Sequence, residues 1–222
     1  MKKALLTIAL STAMASTAVV STQASAVEGL SANVGATNNY LWRGVSQSSN
    51  AAAISGGIDY AHASGAYLGT WVSNADWADG MSYELDLYGG YAAELDNGIG
   101  YDVGFIYYAY DKAADSDFSE VYASISYDAF SFSYATLIDS DGGGSFGDDS
   151  YYSADAEFEV AEGLALGLHV GYYDFDAADS DYTDYGVSLS KDGFTFAVSD
   201  TDLSGADGEL NFVVSYSVDF DL

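Results

Sequence analysis

Period-two strands, connections that alternate long and short, and a basic, apolar leader predict an all-β chain. The expected fold is a transmembrane antiparallel up-and-down β-barrel of about twelve strands, with both termini periplasmic.

The leader comes first. Lys2 and Lys3 precede an apolar and small-residue stretch from Ala4 to about Val20, then Ala24-Ser25-Ala26. This is a secretory signal peptide over residues 1–26, with the outer-membrane barrel over 27–222. As a membrane anchor the stretch is broken by Ser and Thr and falls short of the roughly 20 apolar residues that a span needs. No later segment offers a transmembrane helix. The chain has 0 Cys, so although it is exported it has no disulfide framework.

The strands follow in order, most near the 9–11 residues of a tilted membrane strand. In segment 31–42, Val34, Ala36, Tyr40 and Trp42 share one face, while Asn33, Gly35, Thr37, Asn39, Leu41 and then Arg43 share the other. Segments 52–63 and 66–75 flank His62-Ala63-Ser64-Gly65, and 82–94 and 98–110 flank Leu95-Asp96-Asn97-Gly98. Segments 118–127 and 130–139 flank Tyr127-Asp128-Ala129-Phe130, and 151–160 and 164–174 flank Val160-Ala161-Glu162-Gly163. Segments 182–190 and 193–200 flank Lys191-Asp192-Gly193. Several of these turns carry the Gly, Asn or Asp that tight hairpins favour. In segment 209–222, Phe212, Val214, Tyr216, Val218, Phe220 and Leu222 alternate with mostly polar residues, the pattern of a strand between lipid and a polar lumen.

The longer connections are 43–51, 74–81, 111–117, 140–150, 175–181 and 201–208. They interleave with the short ones, as external loops and periplasmic turns do. A soluble lipocalin-like barrel or β-sandwich also has period-two strands, but with its apolar face inside. Carboxylates deep within strands, from Glu84 to Glu159, suit either architecture. The final strand and the loop alternation together favour the membrane barrel.

Aromatic residues fit two interface girdles. Tyr40, Trp42, Tyr107 and Tyr172 lie near strand ends that adjoin long connections, and Tyr91, Phe130 and Phe158 lie near the short turns. Cross-strand aromatic packing is the alternative reading.

Composition agrees. Tyr 20, Phe 11, Trp 3 and Pro 0 suit many strands whose ladder donors are all needed. Loss of Lys2 and Lys3 takes the formal charge from −29 to −31, leaving Arg43, Lys112 and Lys191 as the cations. Such a surface repels nucleic acid and anionic ligands. Adaptation to a salty habitat and a role in function both account for the excess.

Thr37-Asn38-Asn39-Tyr40-Leu41-Trp42-Arg43-Gly44-Val45-Ser46-Gln47 is followed by Gly56-Gly57-Ile58-Asp59-Tyr60, Gly69-Thr70-Trp71-Val72-Ser73-Asn74 and Glu84-Leu85-Asp86-Leu87-Tyr88-Gly89-Gly90-Tyr91. These blocks resemble the TorF family of porins, densely from about Leu30 to Tyr91 and by strand rhythm beyond. The resemblance implies an exported outer-membrane barrel of porin type, and names no solute.

The expected function is passive diffusion of small hydrophilic solutes with a preference for cations. Candidate pore-lining residues are Arg43, Asp59, Glu84, Asp86, Asp102, Asp155, Glu157, Glu159 and Asp184, because a ring of carboxylates favours cations. By parity Arg43 falls on the lumen side near the external mouth, either as one pole of a transverse field with Asp59, Glu84, Asp86 and Asp102 or in a structural ion pair. Twelve strands lie between the eight that enclose packed side chains and the sixteen or so that leave a channel, so an open and a filled lumen both fit. A filled barrel would be a structural, adhesive or binding protein of the outer membrane.

Acidic loops around Asp139–Asp149 and Asp174–Asp184 suggest loose divalent binding or solvated loops, but Ser150 stands where an EF-hand loop needs its twelfth, acidic ligand. His62 and His169 come without a Gly-x-Ser-x-Gly elbow, so no catalytic residues are assigned. No cofactor or metal is expected. The expected partners are outer-membrane lipid, lipopolysaccharide and small polar or cationic solutes.

Overall fold

Inside a bilayer no water satisfies stray backbone groups, so a strand protein must close its sheet on itself. The computed structural model describes residues 27–222 apart from 79, 114 and 178. The leader expected over residues 1–26 lies outside the described residues. Fourteen strands follow in order: β1 (Leu30–Thr37), β2 (Leu41–Trp42), β3 (Val45–Ser46), β4 (Ala53–Ala61), β5 (Ala66–Ser73), β6 (Glu84–Glu94), β7 (Ile99–Tyr110), β8 (Phe118–Tyr127), β9 (Phe130–Ser140), β10 (Ser150–Ala161), β11 (Leu164–Asp174), β12 (Tyr182–Lys191), β13 (Phe194–Thr201) and β14 (Asn211–Asp221).

Twelve of them form a closed antiparallel barrel in sequential order; β2 and β3 make a separate two-stranded ladder. Closure comes from β1, which pairs with β14 at Val34↔Val218 and with β4 at Val34↔Gly56. The Leu222 N–H adds a bond of 3.1 Å to the Leu30 carbonyl, so the seam is bonded to its last residue. A closed ladder has no free edge to aggregate.

The two faces are inverted relative to a water-soluble protein. Ile54 (68% exposed), Leu68 (60%) and Phe132 (57%) stand outward, while among the described residues the largest fully buried side chains are Tyr151, Glu84, Glu120, Asp86, Asp184 and Ser48. Apolar outside and ionisable inside is the pattern that lipid on one face and a polar lumen on the other require.

Strand pairs meet at the short-turn end through tight turns. Between Lys191 and Phe194, Asp192 (φ 52°) and Gly193 (φ 82°) both take the left-handed conformation of a type I′ turn, whose twist matches that of the strands. At the long-loop end, many carboxylates are used to cap loop amides. The Asp111 carboxylate accepts the Ser82 and Tyr83 N–H groups, Asp148 that of Ser145, and Asp181 that of Phe175.

The first strand differs from the sequence expectation. Wall pairing stops at Thr37↔Ala53, not at Trp42, and the chain leaves the wall. Residues 39–48 are buried or half-buried rather than forming an external loop. They turn inward as the β2–β3 hairpin, with Leu41↔Ser46 and Trp42↔Val45 paired.

Candidate functional site in the lumen

The hairpin crosses the lumen from the β1–β4 seam to the far wall. At its root the Asn38 side chain accepts from the Val214 N–H (2.7 Å) and donates to the Phe212 carbonyl (2.9 Å). The Asn39 amide donates to Asn211 Oδ1 at 3.0 Å, and its Oδ1 accepts from the hydroxyls of Ser46 (2.6 Å) and Ser48 (3.2 Å). Backbone polar groups that have left the ladder thus recover partners.

At the tip, Arg43 (φ 49°) and Gly44 (φ 82°) reverse the chain. A Cβ on Gly44 would lie 2.6 Å from Asp184 Cβ and 2.7 Å from Thr201 Cγ2, so only glycine lets the tip come so close to the wall. Arg43 Nη2 donates to Glu120 Oε2 at 2.6 Å, with both side chains almost wholly buried. The Arg43 carbonyl accepts from the Tyr182 hydroxyl at 3.0 Å.

Nε and Nη1 of Arg43 have no hydrogen-bond acceptor. Instead the guanidinium lies 4.2, 4.4 and 4.7 Å from the ring centroids of Trp42, Tyr151 and Tyr173. Ring quadrupoles therefore share the charge that one carboxylate partly neutralises.

The wall facing this hairpin is a dense acidic layer. Glu84 and Asp86 are 1% and 2% exposed; the Tyr40 hydroxyl donates to Glu84 Oε1 at 3.0 Å, while Glu84 Oε2 and Asp86 Oδ1 are left without partners. Asp184 accepts from the Tyr151 hydroxyl at 3.0 Å and contacts His169 Nε2 at 2.7 Å. His169 Nδ1 in turn meets Asp155 Oδ1 at 2.6 Å, so one imidazole bridges β10, β11 and β12.

Toward the short-turn end the lumen changes. Asp59 and Asp155 are only half-buried and Glu157 is exposed. Asp59 is held by the Tyr88 hydroxyl and the Asn33 amide, and Asp102 by the Tyr67 hydroxyl at 2.7 Å. The Tyr67 and Tyr122 hydroxyls meet at 2.5 Å, reaching across from β5 to β8. These tyrosines lie over inward-facing glycines: a Cβ at Gly90 would meet the Tyr67 hydroxyl oxygen at 2.4 Å, and one at Gly104 the Tyr122 ring at 2.4 Å. Glu159 sits at the rim, where Oε1 accepts from the Gly163 N–H at 3.1 Å.

Three sequence expectations need correction. Arg43 is not on the wall strand but on the inserted hairpin, and its partner is Glu120 of β8 rather than Asp59, Glu84, Asp86 or Asp102. Tyr40 and Trp42 are not membrane-interface aromatics. Tyr40 is buried against Trp71, and the Trp42 ring lies 5.8–6.0 Å from those of Tyr108, Phe118 and Tyr173. Parity along a strand could not place them, because the strand had already ended. Tyr91, Phe130, Phe158 and Tyr172 do stand outward and exposed; Tyr107, on the same outward parity, is half-buried, and its hydroxyl donates to Asp117.

Glu120 was missed, although it shares inward parity with Tyr122 and Ser124, the same signal that selected the other carboxylates. Among the described residues no group of three or more His, Cys, Asp or Glu is arranged to hold a metal ion.

Comparison with known proteins adds a family and a fold. Residues 21–217 match the family described as "Bacterial protein of unknown function (Gcw_chp)". The chain belongs to the Gcw_chp family. A search of proteins with curated functions finds no match for it. Among solved structures, this Gcw_chp barrel is similar to the KdgM porin, with a TM-score of 0.56 at 10% identity over 86% of this chain and 99% of that one. It is also similar to a KdgM porin in complex with disordered oligogalacturonate, with a TM-score of 0.52 at 12% identity over 86% and 95%. The shared feature is the closed barrel of small outer-membrane porins.

Proposed function

We propose that the chain, after removal of a leader over residues 1–26, is an outer-membrane channel for passive diffusion of small hydrophilic solutes, with a preference for cations. The observation that carries this reading is the charge of the lumen wall. Asp59, Asp102, Asp155, Glu157 and Asp184 project inward, while the one lumen arginine is committed to Glu120. A confined acidic wall lowers the potential for cations and raises it for anions. The oligogalacturonate named with KdgM is a polyanion, and this wall disfavours one, so likeness of fold does not carry that solute across. The TorF resemblance between Leu30 and Tyr91 also supports the porin reading.

Catalysis is not proposed: both nitrogens of His169 are engaged by Asp155 and Asp184, and His62 meets only Ser64 at an exposed turn. A second reading, a closed barrel with a binding role, is favoured by the number of bonds that hold the hairpin in the lumen.

Single-channel recording of the refolded mature protein in a planar bilayer under a salt gradient tests the proposal. Discrete steps with a cation-directed reversal potential are expected. A folded but silent barrel would sink the channel and leave the second reading.

A further inference from the structure

Above the hairpin, at the long-loop end, the barrel opens into a cup of about 980 Å³. This is at the upper end of the roughly 300–1,000 Å³ of small-molecule pockets. Trp42 and Val45 of the hairpin contribute to its floor, and Phe118, Tyr173, Phe175 and Tyr182 to its walls. Trp77, packed edge-on against Tyr110 at 5.2 Å, lines the cup from the β5–β6 connection.

Aromatic walls by themselves suit flat apolar molecules or sugar faces. Charge narrows the choice. Among the described lining residues the ionisable acids and bases are Asp149 and Asp207, with no Lys, Arg or His. The protein also shows how these rings treat a cation, since Trp42 and Tyr173, which line the cup, already hold the Arg43 guanidinium. A cation over an aromatic face gains most where water is partly excluded, and carboxylates at the same site add attraction that neutral molecules lack.

We propose that this cup binds organic cations, molecules that join an ammonium or guanidinium group to an apolar body. An inorganic ion would leave the rings unused, a neutral sugar would stack on the rings and hydrogen-bond the carboxylates but gain nothing from their charge, and an anion would be repelled. The site stands whether or not the barrel conducts.

The test is a binding measurement with no current in it. The refolded mature protein in a nonionic detergent is titrated with 2-phenylethylammonium and, separately, with neutral 2-phenylethanol, following tryptophan emission and the heat of binding. Saturable binding of the ammonium, at least about tenfold tighter than the alcohol and weaker at high salt, is the expected result. Asp207→Asn and Trp77→Ala should each weaken it several-fold, whereas Asp128→Asn at the opposite end should not. Equal affinity for the two probes, no saturable binding of either, or stronger binding of galactose than of the ammonium would each overturn the proposal. Heat-modifiable electrophoretic mobility and β-strand circular dichroism, recorded on the parent and on each variant, separate misfolding from a true negative.

Discussion

The two halves of the lumen are built by the same strands with the same inward parity, yet they treat their carboxylates in opposite ways. In the half near the long loops, Glu84, Asp86, Glu120 and Asp184 are almost fully buried. In the half near the short turns, Asp59 and Asp155 are only partly covered and Glu157 is exposed, and only Asp102, beneath the Tyr67 hydroxyl, is buried. Residue type cannot explain this. What differs is the group opposite: the β2–β3 hairpin in one half, and in the other only side chains of the wall itself, among which Tyr67 and Tyr122 meet and cover Asp102. The wall supplies charge everywhere, and one inserted segment desolvates most of the charge that is buried.

Removing the segment should therefore have the largest effect. Thr37 and Ala53 are directly paired, so residues 38–52 can be replaced by Asn-Gly, which forms a two-residue type I′ turn. Single-channel conductance is expected to rise several-fold, with the cation preference kept by the lower half. An unchanged conductance in a folded barrel would mean that the hairpin is not the constriction.

A smaller break removes one charge from the hairpin's far anchor. Glu120→Gln leaves the Arg43 guanidinium buried with two nitrogens already lacking acceptors. Breaking one side of such a buried pair costs about 3–5 kcal/mol, whereas replacing both members by apolar residues is often neutral. The denaturant midpoint should fall and channel noise should rise in Glu120→Gln, and Arg43→Met with Glu120→Leu should recover most of the loss. If the single variant were as stable and as quiet as the parent, Arg43 would not be the anchor.

The half without the hairpin is sharpened by its own substitutions. Asp59→Asn, Asp102→Asn and Asp155→Asn together should move the reversal potential toward zero, while stability changes little, because each asparagine keeps an acceptor for its tyrosine, asparagine or histidine partner. The same shift produced instead by Glu84→Gln and Asp86→Asn would place selectivity in the plugged half.

The contrast between the halves also shows what the sequence could reveal. The barrel was legible because alternation and loop length are local patterns imposed by lipid on every strand in turn, and β14 displays them without interruption from Phe212 to Phe220. The inward direction of Asp59, Glu84, Asp102 and Asp184 followed from the same parity. The hairpin was not legible. Tyr40 and Trp42 continue the parity of Val34 and Ala36 beyond Thr37, and Leu41 is the single apolar residue that breaks the polar face, too weak a signal to mark the point where the chain leaves the wall. Its destination is set by Glu120, Tyr173 and Tyr182, all far away in sequence. The cup was hidden for the same reason, since its aromatic lining comes from five separate strands and the loops between them.

The smallest expected effect lies above both halves, in the loops at the mouth. The Asp111 carboxylate accepts from the Ser82 and Tyr83 N–H groups at 2.6 and 2.8 Å and pairs with Lys112 at 3.3 Å. Desolvation pushes its pKa upward, but the two backbone donors and the ammonium outweigh this and hold it below the usual carboxylate value. A carboxyl depressed in the folded state contributes stability that is present above its unfolded pKa and lost as pH falls through the folded one. Acidification below about pH 4 should therefore release the β5–β6 connection from Asp111. Protection of the Ser82 and Tyr83 amides, taken relative to the intrinsic exchange rate at each pH, is expected to fall across that range in the parent and to be low at every pH in Asp111→Ala, whereas amides in the lower half of β6 stay protected in both. Equal protection of Ser82 and Tyr83 in the two proteins at neutral pH would show that the mouth loops are held by the wall and the hairpin alone.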